Sequence, residues 1–308
     1  NYILYSPLTG SILEVTSGLA KQIQNISLGK DYFFENGIET ILKEKGFIGE
    51  NFPKISGEIV EKEYQPTSVT VMPTWDCNLR CLYCYSDGGS NPGDILDIKI
   101  AKSAVDLIIK NAIDKKSNKI FLGYHGGGEP LMEKNLHWIK ELTFYTREQA
   151  NKNGIKSHVS SATNGFLSKK NLDWIVNNLD RINLSWDGPP EIQNFQRPGK
   201  NGFPTYDTVL KTAKYFEEKG FSYGIRSTIS SFSVNRMEEI VQHFIDETTV
   251  KGFHLEPLFE CGRGERNKDI LRFPDTEYFV ENFIKAKQLA SKNNRRLYHS
   301  ASDLEKIG

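Results

Sequence analysis

The sequence predicts an α/β fold in which six strand–helix units build a parallel sheet, with a small N-terminal winged-helix-like α+β module in front. Three observations carry this. From residue 68 onward, apolar strand-like runs alternate with amphipathic helix-like stretches. Before residue 65 the pattern is different, a hairpin followed by short helices. The composition, 38% hydrophobic and 25% charged over 308 residues, supports a sizeable buried core.

In the N-terminal stretch, "YILYSP" and "SILEVT" are β-prone runs joined around "LTG", which reads as a hairpin. "GLAKQIQNI" and "YFFENGIETILKEKGF" carry apolar residues at helical spacing, with Gly46 placed as a helix stop, and "ISGEIVEKEYQP" reads as extended. The strands of the larger domain are "SVTVMPTW", "KIFLGYH", "KSHVSSAT", "RINLSWDG", "SYGIRSTI" and "GFHLEPL". Helices begin near Ile98, Asn135, Lys169, Tyr206, Val234 and Thr276. Six successive units imply right-handed crossovers and a sheet that is either open and doubly wound or curved into a partial barrel. Six is fewer than the eight of a closed barrel, and an incomplete ring leaves a lateral opening for a large substrate. The expected boundaries are residues 1–64 for the small module, 65–272 for the α/β domain and 273–308 for a C-terminal helix.

Equal numbers of basic and acidic residues, 39 of each, give no electrostatic case for nucleic acid or an anionic membrane. No apolar run approaches the roughly 18 residues of a membrane span, and the start lacks a signal-peptide pattern. A cytosolic protein is expected. In a reducing compartment its four cysteines are better suited to metal or redox chemistry than to disulfides.

Three of the four lie in "CNLRCLYC", as Cys77, Cys81 and Cys84, on the loop at the carboxyl edge of the first strand, where parallel α/β proteins bind ligands. A closed zinc site needs a fourth ligand, and Cys261 lies 177 residues beyond Cys84. Asp76, His125 or a distant cysteine could complete a zinc tetrahedron. A four-iron cluster held by three thiolates instead keeps one iron open for a small molecule.

This octet resembles the signature of the radical S-adenosylmethionine superfamily: a Cys, three residues, Cys, two residues, Cys, with an aromatic, Tyr83, before the last cysteine. The resemblance implies a partial (β/α)6 TIM-like barrel, a [4Fe-4S] cluster on Cys77, Cys81 and Cys84, and S-adenosylmethionine on the open iron. "HGGGEPL" supplies a match to the family's Gly-Gly-Glu-Pro segment in Gly127, Gly128, Glu129 and Pro130, which implies contact with the methionyl amino group. "ATNG" and "LSWDGP" resemble segments of the peptide-modifying subgroup, making Thr163, Asn164, Ser185 and Asp187 candidates for the ribose and carboxylate side of the pocket. Each of these residues could equally be a turn or a cap. Arg226 in "GIRSTI" is read as pointing inward, toward the cofactor carboxylate or into an internal salt bridge. Leu255 in "FHLEPL" matches a segment whose backbone runs along the adenine.

The implied activity is one-electron cleavage of S-adenosylmethionine to a 5′-deoxyadenosyl radical that takes hydrogen from a peptide. The implied process is maturation of a ribosomally made peptide by crosslinking or another side-chain modification. The leader region of that peptide would join the edge of the hairpin of residues 2–15, and a reductant such as flavodoxin or ferredoxin would supply the electron. The subgroup carries a SPASM or twitch extension with auxiliary iron-sulfur clusters. Here only Cys261, in "ECGRG", is a candidate ligand for one, and such an extension either lies beyond residue 308 or is absent. Two alternatives stand beside this reading: oxidation of a protein Cys or Ser as in anaerobic sulfatase maturation, and a non-enzymatic iron-sulfur sensor.

Overall fold

The computed structural model describes residues 2–6, 11–27, 34, 37–49, 64–90, 93 and 95–300. Their contacts divide the chain into two compact units, one holding the described residues up to 49 and the other residues 64–300.

In the first unit, β1 (Tyr2–Tyr5) pairs antiparallel with β2 (Ile12–Val15), Tyr2 opposite Val15. Two helices follow, α1 (Ser17–Ser27) and α2 (Ile38–Glu44). Thr16 caps α1 by accepting the Leu19 N–H at 3.3 Å. The expected stop at Gly46 is seen as two C-terminal bonds, Gly46 N–H to Lys43 O at 3.1 Å and Phe47 N–H to Leu42 O at 2.8 Å. The hairpin leaves Tyr2, Ile3, Tyr5 and Ile12 exposed. The extended reading of "ISGEIVEKEYQP" falls mostly outside the described residues.

The second unit is a seven-stranded parallel sheet: β3 (Ser68–Val71), β4 (Lys119–Tyr124), β5 (Lys156–Thr163), β6 (Arg181–Ser185), β7 (Tyr223–Ile229), β8 (Gly252–Pro257) and β9 (Arg296–Tyr298). Its helices are α3 (Ile98–Asp114), α4 (Leu136–Lys152), α5 (Lys169–Asn178), α6 (Pro190–Gln196), α7 (Tyr206–Glu218), α8 (Met237–Glu247), α9 (Arg263–Arg266) and α10 (Thr276–Lys292). Asp97, Ser168 and Asp275 cap α3, α5 and α10 through their side-chain oxygens.

Sheet order settles the choice between the two architectures. A doubly wound sheet reverses its strand order at a switch point, whereas here each strand neighbours the next from β3 to β9. With every crossover right-handed, the helices fall on one face, and the sheet is that of a partial barrel. Burial agrees. Ile120, Leu122, Val159, Ile182, Leu184, Ile225, Phe253 and Leu255 face the helices and are 2% exposed or less, while Thr70, Phe121, Asn183 and Arg226 on the other face are exposed. The seventh strand, β9, lies outside the sequence reading. It has only three residues and shows no periodicity, and its pairing with β8 alone defines it.

Candidate functional site

The cysteine loop follows β3 and faces one cavity of about 150 Å³ at the carboxyl edge of the sheet. Cys77, Cys81 and Cys84 are all free and all line it. Donors already point at two of the sulfurs: Leu79 N–H at Cys77 Sγ (3.4 Å) and Gly88 N–H at Cys84 Sγ (3.3 Å). The Asn164 amide lies 3.7 Å from Cys77 Sγ. Such donors suit thiolates bound to metal. In the bare chain, burial pushes the Cys77 thiol up to about 12 and Cys81 up to about 11, so a bound cation must supply the charge that makes them ligands. Among the described residues, no three of His, Cys, Asp and Glu gather closely enough to hold one metal ion. Three thiols around a cavity fit a multi-iron cluster better than zinc.

The glycine run after β4 forms the facing wall. His125 N–H to Val71 O (3.0 Å), Gly128 N–H to Thr74 O (2.9 Å) and Glu129 N–H to Asp76 O (2.8 Å) lace it to the cysteine loop. A Cβ on Gly128 would lie 1.8 Å from Asp76 O, and one on Gly127 would lie 2.4 Å from the Trp75 ring. Only glycine allows this approach. Glu129 is buried, and its carboxylate joins the loops after β4 and β5. It accepts from the Thr163 hydroxyl at 2.8 Å, Asn164 N–H at 2.6 Å and Leu131 N–H at 3.0 Å. Burial pushes its pKa up to about 7 against these three bonds.

Behind the loop lies a charged network that joins two residues named from the sequence, Tyr83 and Asp187, to two that the sequence reading missed, Arg197 and Gln196. Arg197 Nη1 donates to the Tyr83 hydroxyl at 2.6 Å, which donates to Asp187 Oδ2 at 2.7 Å. Gln196 Nε2 and Thr228 N–H complete the Asp187 carboxylate at 2.8 and 3.0 Å. Arg197 is 7% exposed and lines the cavity, and its Nε–H is buried without an acceptor among the described residues. A buried guanidinium N–H of this kind calls for an anion.

The segment after β8 clamps the loop from outside. Arg263 donates to Cys81 O (3.0 Å), Gly88 O (3.1 Å) and Ser90 Oγ (2.8 Å), and its backbone N–H to Cys84 O (2.8 Å). Asn267 holds Leu82 O at 2.8 Å. Gly262 sits at φ +56, where a Cβ would lie 2.3 Å from Tyr85 O.

The cavity thus brings together Cys77, Cys81, Tyr83, Cys84, Gly127, Gly128, Glu129, Pro130, Thr163, Asn164 and Ser185. Four candidates do not line it. Asp187 spends its oxygens on Tyr83, Gln196 and Thr228 instead of facing the cavity. Leu255 turns its side chain into the core, because it shares the helix-facing side of β8 with Phe253. Arg226 does point to the concave side, as alternation implies, but lines a neighbouring cavity. Cys261 is exposed on the segment just before the clamp.

Residues 71–244 match the Radical SAM superfamily, and the chain belongs to it. Its members use a [4Fe-4S] cluster and S-adenosylmethionine, and the donor set found here fits that cluster. An uncharacterized protein of Methanocaldococcus jannaschii is 29% identical over 66% of this chain and 65% of its own length. A cysteine-type anaerobic sulfatase-maturating enzyme of Clostridium perfringens is 25% identical over 73% of this chain and 63% of its own length. The chain therefore spans less than two thirds of these curated relatives. In fold it is similar to anSMEcpe with bound AdoMet and Kp18Cys peptide (TM-score 0.62, 21% identity, 75% of this chain and 63% of that one). It is also similar to Streptococcus suis SuiB bound to precursor peptide SuiA (TM-score 0.55, 17% identity, 94% of this chain and 62% of that one). Among the described residues no helix is long and apolar enough to cross a membrane.

Proposed function

We propose that this protein is a radical S-adenosylmethionine enzyme of the cytoplasm that modifies a ribosomally made peptide. One observation carries the reading: three thiols share a cavity with a glycine wall and a buried arginine whose Nε–H lacks an acceptor among the described residues. Cys77, Cys81 and Cys84 would hold the [4Fe-4S] cluster. When bound, the cluster and S-adenosylmethionine supply a carbon radical able to take a hydrogen atom from substrate.

The chain's own residues do the rest. Gly126 to Gly128 let the wall pack directly against Trp75, Asp76 and its own backbone, which sets the buried Glu129 carboxylate close to the cysteine loop, where the ligand's amino end would lie. The orphan Nε–H of Arg197 is suited to the cofactor carboxylate, and the bond from Arg197 to Tyr83 fixes the aromatic ring next to Cys84. Asp187 balances the arginine charge from beneath, which allows that cation to stay buried.

Support for a peptide substrate comes from the first unit. The likeness to SuiB extends over 94% of the chain, against 75% for the sulfatase-maturase structure. The hairpin with exposed Ile3 and Ile12 could receive a leader strand by edge addition. Electrons would come from a small one-electron carrier such as flavodoxin or ferredoxin. The similarity to the C. perfringens enzyme favours a second reading, oxidation of a Cys or Ser in a sulfatase-type protein. The test is anaerobic reconstitution, then 5′-deoxyadenosine formation with dithionite and S-adenosylmethionine. Wild type should form it and Cys81→Ala should not; equal yields from both would overturn the proposal.

A further inference from the structure

With Arg197 in the cluster cavity, Arg226 is left without a task there. Register pairs Ser185 with Arg226, Arg226 with His254, and His254 with Tyr298, so these four side chains form one row across β6 to β9 on the concave face. The row lines a second cavity of about 110 Å³ together with Asn183 and Gly224. His125, Ala162 and Ser185 line both cavities, so the two adjoin.

The chemistry of this second cavity is one-sided. Its lining contains a guanidinium, two imidazoles, an amide, a hydroxyl and a phenol, and no carboxylate. Arg226 is exposed, and its side chain has no hydrogen bond or ion pair to the described residues. The acid two residues beyond His254, Glu256, is already held by His254 Nε2 and by the Ser300 N–H at 2.6 Å. Gly224, two residues before Arg226 on the same face, adds no side chain of its own, and the Arg181 guanidinium lies over it with Asn183 beside it, a second cation at the edge of the row.

We propose that this row is a substrate subsite for a carboxylate, supplied by an aspartyl or glutamyl side chain of the peptide. Arg226 supplies the charge-assisted bond, and Ser185 and Asn183 supply neutral donors. Held there, the carbons next to the carboxylate lie toward the shared wall with the cluster cavity, where hydrogen would be taken. This rests on the reading of the protein as a peptide-modifying enzyme. It adds that acidic residues mark the modified region.

Calorimetric titration of the reconstituted, S-adenosylmethionine-bound protein tests it with three probes: Ac-Ala-Asp-Ala-NH2, Ac-Ala-Asn-Ala-NH2 and Ac-Ala-Ala-Ala-OH. Wild type should bind the aspartyl peptide about tenfold or more tightly than the asparaginyl one. Arg226→Gln should abolish that preference and Arg226→Lys keep part of it. Tighter binding of the free-terminus peptide than of the aspartyl one would overturn the side-chain assignment in favour of a chain end. Equal binding of the Asp and Asn peptides, a preference that survives Arg226→Gln, or no binding of any peptide at millimolar concentration would overturn the subsite. 5′-Deoxyadenosine formation by wild type is scored separately, so failure here is distinct from failure of the enzyme reading.

Discussion

Replacing Arg263 by alanine removes the side chain that ties the cysteine loop to the segment after β8. Three bonds are lost, to Cys81 O at 3.0 Å, Gly88 O at 3.1 Å and Ser90 Oγ at 2.8 Å. Each exchanges for water when the loop opens, so each is worth about 1 kcal/mol net. Together they make local opening easier by about 3 kcal/mol, which is about a hundredfold in the open population. Two anchors survive the change, the backbone N–H of residue 263 on Cys84 O and Asn267 on Leu82 O. The fold should therefore persist while the loop opens more often. The assay is the anaerobic rate of iron loss to a chelator from reconstituted protein, with thiol reactivity of the cluster-free protein as a second readout. Both rates should rise by about a hundredfold, because each tracks the open population when reclosing is fast. Arg266 pairs with Asp87 at the exposed surface, so Arg266→Ala should change them by less than about fivefold. Rates for Arg263→Ala within about threefold of wild type, or matched by Arg266→Ala, would refute the clamp.

Other expectations follow from the same contacts. Gly128→Ala places a Cβ 1.8 Å from Asp76 O, so either the cysteine loop or the glycine wall must shift; reconstituted iron per chain should fall well below that of wild type. The pKa of Glu129, raised by burial from 4.5 to about 7, gives a signed pH effect in cluster-free protein. The folded state holds this proton more tightly than the unfolded chain, so the contribution is full below pH about 4.5. It is lost as pH rises through about 7, a fall of about 3 kcal/mol by urea unfolding that Glu129→Gln should remove. Arg197→Met removes the buried cation that reaches Asp187 through Tyr83, leaving the carboxylate with its bonds to Tyr83, Gln196 and Thr228 but no balancing charge, and should cost about 3 kcal/mol, while Arg197→Met with Asp187→Asn should cost less than the single change.

Much of the α/β unit is legible in the sequence because its strands are buried on the helix side. That burial writes Ile120, Leu122, Ile182, Leu184 and Phe253 as apolar positions at alternate residues. Sheet order is not a local property, so the runs alone left open whether the sheet was doubly wound, and pairing decided it. Short elements escaped for the same kind of reason. β9 has three residues, and α6 is the seven-residue polar stretch PEIQNFQ, signalled only by a proline at its start. Missing α6 hid Gln196 and Arg197, although they follow "SWDGP" within ten residues. The cysteine spacing and the glycine run were readable because close backbone approach admits few residue types. Arg226 was legible in direction and not in neighbourhood: alternation put it on the concave side, while only the register row shows that it belongs to a second cavity.

The central claim is that three thiolates from this loop leave one cluster iron open for S-adenosylmethionine. The most direct measurement is electron–nuclear double resonance on the reduced, reconstituted protein with S-adenosylmethionine carrying 15N in its amino group. The account expects a [4Fe-4S] signal with a resolved 15N coupling that vanishes in Cys81→Ala. A cluster that binds S-adenosylmethionine without any 15N coupling, or a metal content of zinc in place of iron, would contradict it.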